Sequence, residues 1–74
     1  MKNKLFLSEW RRSKGLSLRG LAEVAEMDFA AIDKIERGNR DPRLSTLFAL
    51  ADALEISVTD LFKPPPKKRR GNKQ

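Results

Sequence analysis

The 74-residue chain contains no cysteine, no histidine and no tyrosine. Without cysteine it can form neither a disulfide nor a thiolate metal site, which is typical of a protein in a reducing cytoplasm. Without histidine it lacks the commonest general base and metal ligand, and its carboxylates, serines and lysines show no catalytic spacing. We therefore expect a protein that is not an enzyme and that uses no metal, cofactor or small-molecule ligand.

Long apolar runs are also missing from the sequence. The apolar stretches are short and interrupted by charge, and the opening MKNKLFLSEWRR is too brief and soon too charged for a signal peptide or a membrane span. A chain of this length allows one domain, and such a small domain buries only about 60% of its unfolded surface. We expect one small cytoplasmic domain that has no contact with a membrane.

The net charge of +6 comes entirely from the C-terminal segment 63–74. Six basic residues follow Phe62 with no acid among them, whereas the first 62 residues hold ten basic and ten acidic residues. The run Pro64–Pro66 cannot continue a helix, because proline lacks the amide donor. We predict a domain over residues 1–62 and a flexible tail over residues 63–74. The tail is either an electrostatic arm for nucleic acid or a solubilising end, and its KKRR run also resembles a nuclear import signal.

Residues 17–38 have the pattern of two short helices joined by a tight turn. The residues that mark these helices are, in chain order, the cap residue Ser17, the apolar Leu21, Ala22, Val24 and Ala25, the cap residue Asp28, the apolar pair Ile32 and Ile35, and Gly38. The first helix of this pair is predicted over about residues 18–25, and only Glu26 and Met27 separate it from the second. So short a link means that the helices must cross steeply, as they do in a helix-turn-helix. A helical hairpin of an ordinary small bundle is the alternative.

Three further apolar segments flank this pair. Leu7 and Trp10 predict a first helix over about residues 4–14, and leucines every three or four residues predict a fourth over residues 44–54. Ser57, with Asp60 three positions later, has the pattern of a capping box and predicts a fifth short helix. The residues that these segments should bring to the core are Leu7, Trp10, Leu44, Leu47, Leu50, Ala51, Leu54, Val58, Leu61 and Phe62.

Together these positions resemble the phage repressor and Cro-type helix-turn-helix family. The matching residues are Leu16-Ser17, Leu21-Ala22, Ile32, Ile35-Glu36, Gly38, Arg40, Pro42, Leu44, Leu47, Leu50-Ala51, Leu54, Val58 and Leu61-Phe62. The resemblance covers residues 5–62 without a gap. It implies an all-α, compact five-helix lambda-repressor-like domain that regulates transcription by binding double-stranded DNA. It also implies a homodimer on a two-fold operator, associated with the nucleoid.

The resemblance further implies which residues read bases. In this family the N-terminal part of the second helix of the pair, here residues 28–37, enters the major groove and reads bases mainly with its first, second and sixth residues. The implied base-reading set is Asp28, Phe29, Ala30, Asp33 and Lys34. Many members carry polar residues where this chain has Phe29 and Ala30, which can contact a thymine methyl group, whereas Lys34 can donate to guanine. We expect a thymine-rich operator, or low intrinsic specificity that dimerisation raises.

Three other sets of residues follow from charge and from the resemblance. The candidates for phosphate contact lie in two basic clusters and comprise Arg11, Ser17, Arg19, Arg37, Asn39, Arg40 and Arg43. A structural ion pair between Arg11 and Glu36 is implied by many relatives. The dimer interface, by analogy with the family, uses Leu54, Ile56, Val58 and Phe62.

A protein-interaction module is the competing function. Residues 29–31 form an apolar tip on the helix that would enter DNA, and such a tip could instead bind a protein, as in an antitoxin or an adaptor. Within the DNA-binding class, repressor, activator, restriction-modification controller and antitoxin all remain open.

Overall fold

The computed structural model describes residues 5–66, which fold into four α-helices and one short 3-10 helix. The elements are α1 (Leu7–Ser13), α2 (Leu18–Ala25), α3 (Phe29–Glu36), α4 (Leu44–Leu54) and the 3-10 helix Val58–Phe62. No strand occurs between residues 5 and 66, so the all-α prediction is confirmed. None of the described helices is long and apolar enough to cross a membrane.

The predicted bounds of α2 and α4 agree with the structure, whereas α1 is shorter than the predicted 4–14. Its start is delayed because the amide of Phe6 donates to the carbonyl of Leu61 at 2.8 Å, which ties this residue to the 3-10 helix. Residue 4, the predicted start of the helix, lies outside the described residues.

All four α-helices end in the same hydrogen-bonded turn. In each, one residue adopts the left-handed conformation and the next amide donates to the carbonyl five residues back, a Schellman motif. These bonds, 2.9–3.0 Å long, join Leu16 to Arg11, Met27 to Ala22, Asn39 to Lys34 and Ile56 to Ala51. Gly15 and Gly38 take the left-handed position after α1 and α3, with φ of 73° and 79°. The prediction for Gly38 is therefore confirmed.

Glutamates occupy the same position after α2 and α4. Glu26 has a φ of 58° and Glu55 a φ of 61°, a conformation that is unfavourable for a residue with a Cβ atom. Nothing in the sequence near these residues predicts this, because the usual signal for such a turn is glycine or asparagine.

Replacing Glu26 or Glu55 by glycine is expected to raise the free energy of unfolding by about 0.5–1 kcal/mol each, since the relief of the left-handed strain exceeds the added freedom of the unfolded chain. Urea denaturation of each variant measures this. The matched control is Glu23→Gly inside α2, which should destabilise the domain by about 1 kcal/mol. A loss of stability on Glu26→Gly that equals the loss on Glu23→Gly would contradict the prediction.

The core consists of apolar side chains from every helix. Its ten members are Leu7, Trp10, Leu21, Ala22, Ile32, Ile35, Leu50, Ala51, Leu54 and Leu61, and no polar or charged side chain between residues 5 and 66 is buried with them. Helix α2 packs against both α3 and α4, and the 3-10 helix packs against α4. Helix α2 thus joins α3 to the rest of the core. Its Val24, which the sequence places on the apolar side of the helix, is 55% exposed instead.

Trp10 joins α1 to the end of the folded region. The residue is 8% exposed, and its Nε1 donates to the carbonyls of Asp60 at 2.8 Å and Lys63 at 2.9 Å. The prediction that Trp10 belongs to the core is confirmed. The contact also fixes the point at which the Pro64–Pro66 run leaves the domain.

Two predicted core residues lie on the surface instead. Leu44 is 65% exposed, because it opens α4 one turn before the leucines that contact the other helices. Phe62 is 40% exposed. A 3-10 helix has three residues per turn, so Leu61 and Val58 share one side and Phe62 is rotated about 120° away from it. Leu61 is buried and Val58 half-buried, as that geometry requires.

The capping arrangement predicted for Ser57 and Asp60 is confirmed. The amide of Ser57 donates to Oδ2 of Asp60 at 3.1 Å. This backbone hydrogen bond, followed by one from the Ser57 hydroxyl, lowers the pKa of the Asp60 carboxyl from its usual value. The carboxylate therefore stabilises the start of the 3-10 helix in its charged form.

Candidate nucleic-acid interface

The outward face of α3 is the part of the domain best placed to meet a partner. Successive residues of an α-helix are about 100° apart, so Phe29, Ala30, Asp33, Lys34 and Arg37 share one side of α3. The opposite side carries Ile32 and Ile35, which are 0% and 5% exposed. Four of the five outward residues are exposed and Asp33 is half-buried, so the predicted base-reading positions of α3 lie together on its accessible side.

The turn between α2 and α3 holds this face in position. Ser17 caps α2, its Oγ accepting from the amide of Gly20 at 2.9 Å, as predicted. Asp28 occupies the cap position of α3, but its carboxylate makes no capping hydrogen bond, contrary to the expectation. An exposed, unpaired carboxylate thus lies at the tip of the turn, within the described part of the chain.

The ion pair between Arg11 and Glu36 is present and ties α1 to the C-terminal end of α3. Arg11 Nε donates to Glu36 Oε2 at 2.7 Å, and Arg11 Nη2 donates to Oε1 at 3.2 Å. Arg11 Nη1 also donates to the carbonyl of Leu16 at 3.0 Å. The hydrogen bond to Glu36 raises the pKa of the Arg11 guanidinium, and paired donors of this kind fix geometry as well as charge.

The sequence also makes Arg11 a candidate for phosphate contact, but in the structure its side chain is turned to partners within the domain. Its side chain is 13% exposed, and three of its donors already bond within the domain. We therefore assign Arg11 to the positioning of α3. The other phosphate candidates are all exposed, namely Ser17, Arg19, Arg37, Asn39, Arg40 and Arg43.

Charge on and beside α3 is unevenly distributed. Arg37 Nε lies 3.1 Å from an oxygen of Asp33, so the one carboxylate on the outward face is paired along the helix. Lys34, Arg40 and Arg43 have no carboxylate within ion-pair distance among residues 5–66. The C-terminal half of α3 and the loop after it thus form a basic surface, which attracts a polyanion.

An open recess lies beside the N-terminal end of α3. Its charged and aromatic lining residues are Arg19, Glu23, Glu26, Asp28 and Phe29. The guanidinium of Arg19 lies over the Phe29 ring, 4.5 Å from the ring centroid. The sequence assigns Arg19 and Phe29 separate roles. Their contact could not be predicted from a local pattern, because the two residues lie on different helices.

A second recess lies between α4 and the 3-10 helix. It is lined by Phe48, Ile56 and Val58, among others, and Phe48 is 57% exposed. Leu54, a predicted dimer-interface residue, is 1% exposed and belongs to the core. Phe48 is absent from the predicted sites, although its position outside the leucine stripe of α4 indicates an aromatic side chain on the surface.

Comparison with known proteins identifies this arrangement of helices. The family described as helix-turn-helix matches residues 7–61, from the start of α1 to the 3-10 helix. The chain belongs to the Cro/C1-type helix-turn-helix family. The resemblance noted in the sequence is thereby confirmed, and the fold is the DNA-binding fold of transcriptional regulators.

Members of this Cro/C1-type family resemble the chain in sequence and in structure. The HTH-type transcriptional regulator PuuR of Escherichia coli (strain K12) is 38% identical over 61 residues, which make up 82% of this chain and 33% of PuuR. The restriction-modification controller protein C.AhdI from Aeromonas hydrophila is 39% identical, with a TM-score of 0.74 over 76% of this chain and 85% of C.AhdI.

One Cro/C1-type neighbour was solved in complex with DNA. SinR, the master regulator for biofilm formation, is 31% identical, with a TM-score of 0.73 over 77% of this chain and 92% of that one. PuuR is a longer protein, and the chain spans about a third of its length. The shared part is the helix-turn-helix domain, in which α2 and α3 are the two helices of the motif.

Proposed function

We propose that this protein is a sequence-specific transcriptional regulator that binds a two-fold operator in double-stranded DNA as a homodimer, with α3 in the major groove. The outward face of α3 carries the proposal, because Ile32 and Ile35 are buried while Phe29, Ala30 and Lys34 are exposed beside a basic surface. An α-helix fits the major groove, which is about 12 Å wide. The complex of SinR with DNA supports the same use of the fold.

The roles of the remaining residues follow from their positions. Ser17 at the start of α2, and Arg37, Asn39, Arg40 and Arg43 at the other end of α3, contact phosphates on either side of the groove. Phosphate contacts fix the register of the protein on DNA, whereas α3 distinguishes the bases. The protein acts by binding rather than by catalysis, at the nucleoid in the cytoplasm.

Selection from a random library of DNA duplexes tests this function and identifies the operator in the same experiment. The full chain is expected to enrich one sequence with two-fold symmetry and half-sites about one helical turn apart. A protein-interaction module is the second candidate, since Phe29 at the tip of α3 is 39% exposed and Ala30 beside it is exposed too. Enrichment of no sequence at low salt would favour that candidate and would contradict the proposal.

The surface around Phe48 is the proposed dimer interface, together with Ile56, Val58 and Phe62. Phe48 lies on α4, Val58 and Phe62 lie on the 3-10 helix, and Ile56 lies in the turn between them. The recess lined by Phe48, Ile56 and Val58 shares no residue with the recess at the α2–α3 turn. A second copy seated there leaves α3 accessible. Two copies are needed because one small domain contacts few base pairs.

Phe48→Asp is expected to weaken the dimer by about 2 kcal/mol or more, roughly 30-fold in dissociation constant, because a charge would replace a central apolar contact. Sedimentation equilibrium of the free protein and its operator complex measures this. The matched control is Leu44→Asp, one turn earlier on α4, since Leu44 is 65% exposed and lines neither recess. Equal effects of both changes would place the interface elsewhere.

The division into a domain over residues 1–62 and a basic tail over residues 63–74 is also a proposal, and residues 67–74 lie outside the described residues. Truncation after Pro66 is the cleanest test, because it keeps Lys63, whose carbonyl accepts from Trp10. If the tail is an arm for DNA, each lost phosphate contact reduces the slope of log affinity against log salt by about 0.9. Salt titrations on operator and scrambled DNA measure both slopes, and unchanged slopes would make the tail a solubilising end.

A further inference from the structure

Arg19 and Phe29 form a contact between the first turns of α2 and α3. The guanidinium lies over the aromatic ring, 4.5 Å from its centroid. Phe29 is the first residue of α3 and is 39% exposed, so the contact lies at the end of the helix that enters the groove in the proposed function. Arg19 is therefore held next to a base-reading position.

The contact leaves the hydrogen-bonding capacity of Arg19 available. A guanidinium that stacks on a ring uses its flat face, and its five N–H donors point outward in the plane of the group. Glu23, Glu26 and Asp28 line the same recess, yet no carboxylate of the described residues lies within ion-pair distance of Arg19. The ring thus orients the guanidinium and leaves its donors available to a partner.

We propose that Arg19 is a base-reading residue, which Phe29 positions to donate two hydrogen bonds to O6 and N7 of a guanine in each half-site. Guanine is the base that presents two adjacent acceptors in the major groove, and the arginine fork matches this pair. The guanine lies next to the thymine whose methyl group Phe29 contacts. This inference rests on the proposed function, because it requires α3 in the major groove.

The pair gives the protein a hydrogen-bond donor beside the start of α3, where the side chains of α3 itself supply none. Phe29 and Ala30, at the start of α3, cannot donate a hydrogen bond from their side chains. Arg19 supplies that donor from the neighbouring helix, and Phe29 serves two purposes, as an apolar contact for thymine and as a positioning residue for Arg19. The sequence makes Arg19 a candidate for phosphate contact. Its contact with the Phe29 ring is the observation that changes the proposed role to base reading.

Selection from a random duplex library, repeated with variants, tests the proposal. Arg19→Ala is expected to lose the preference for one guanine per half-site and to bind the native operator about fivefold to a hundredfold more weakly. Arg19→Lys keeps the charge but not the fork, so it should retain its affinity for scrambled DNA and lose the guanine preference. Replacement of that guanine by 7-deazaguanine should weaken the native protein and leave Arg19→Ala unaffected.

Two further variants separate positioning from charge. Phe29→Leu keeps an apolar side chain for the thymine methyl group but removes the ring, so the thymine preference should persist while the guanine preference falls several-fold. Arg40→Ala is the matched control, because Arg40 is exposed on the basic surface beyond α3. It should weaken binding to every DNA alike and leave the selected sequence unchanged.

The outcomes distinguish this inference from the proposed function. Equal losses of Arg19→Ala on operator and scrambled DNA, with an unchanged selected sequence, would make Arg19 a phosphate contact and would overturn the inference alone. A full guanine preference in Phe29→Leu would overturn the positioning role of the ring. Enrichment of no sequence by the native protein would overturn the proposed function, and this inference with it.

Discussion

Replacing Glu36 by alanine is expected to lower the free energy of unfolding by about 3 kcal/mol. Glu36 and Arg11 are 10% and 13% exposed, so the change leaves a nearly buried guanidinium without its carboxylate partner. A domain of this size has a total stability of only about 3–9 kcal/mol. The variant should therefore be partly unfolded at 37 °C, and urea denaturation at 25 °C followed by Trp10 fluorescence measures the loss.

The control for this prediction removes both charges. Arg11→Met combined with Glu36→Leu leaves no unpaired charge. The double change should therefore lower the free energy of unfolding much less than either single change to alanine. Glu23→Ala on the exposed surface of α2 should alter stability by less than about 0.5 kcal/mol. A loss of under about 1 kcal/mol on Glu36→Ala would mean that the ion pair does not hold α3 against α1.

Lys34→Ala is expected to weaken binding to the selected operator by about tenfold, a loss of about 1–3 kcal/mol being typical of a good contact to a base edge. Binding to scrambled DNA should fall much less, because there Lys34 contributes only a nearby charge. Lys34 is exposed on the outward face of α3 and forms no ion pair within residues 5–66, so no carboxylate in that part of the chain competes for it. Fluorescence anisotropy titrations at one fixed salt concentration give both affinities.

Arg40→Ala and Arg43→Ala are the matched controls for Lys34. Both residues are exposed basic residues beyond the end of α3, and their loss should weaken operator and scrambled DNA alike. If all three changes cause the same loss on both DNAs, Lys34 reads no base. In that case the specificity of α3 would rest on its apolar residues and on Arg19.

Local patterns in the sequence were sufficient for most of the fold. The apolar residues of α2 and α4 recur at helical spacing, and Ser17, Gly38, Ser57 and Asp60 mark turns and caps through their own chemistry. Such features depend on residues three to five positions apart, which a sequence displays directly. The family pattern then supplied the expectation that Arg11 pairs with Glu36, although 25 residues separate them.

Features that depend on distant residues were not predictable in this way. The hydrogen bonds of Trp10 reach residues 50 and 53 positions along the chain, and they set the end of the domain. The exposure of Leu44 and Phe62 depends on where α4 and the 3-10 helix contact the core. Glu26 and Glu55 were missed for another reason: their turns are local, but they lack the glycine or asparagine that usually marks a left-handed position.

The candidate site shows the same division. The outward face of α3 follows from helical periodicity, so its members could be named from the sequence. The contact of Arg19 with Phe29, the pairing of Arg11 with Glu36 and the burial of Leu54 depend on the packed structure and change three of the expected roles. The interface therefore has one free basic residue fewer than the sequence indicated, because Arg11 is bonded within the domain.

Directed cleavage of the operator from α3 is the most direct test of the proposed function. The chain has no cysteine, so Ala30→Cys introduces a single thiol on the exposed face of α3, to which an iron chelate that cleaves nearby DNA can be attached. Thr59→Cys, exposed on the 3-10 helix, carries the same label as the control. We expect the Ala30 label to cleave at two positions, one in each half-site and about one helical turn apart, both in the major groove. Equal cleavage from the two labels, or cleavage from position 30 that is uniform along the operator, would contradict the placement of α3 in the groove.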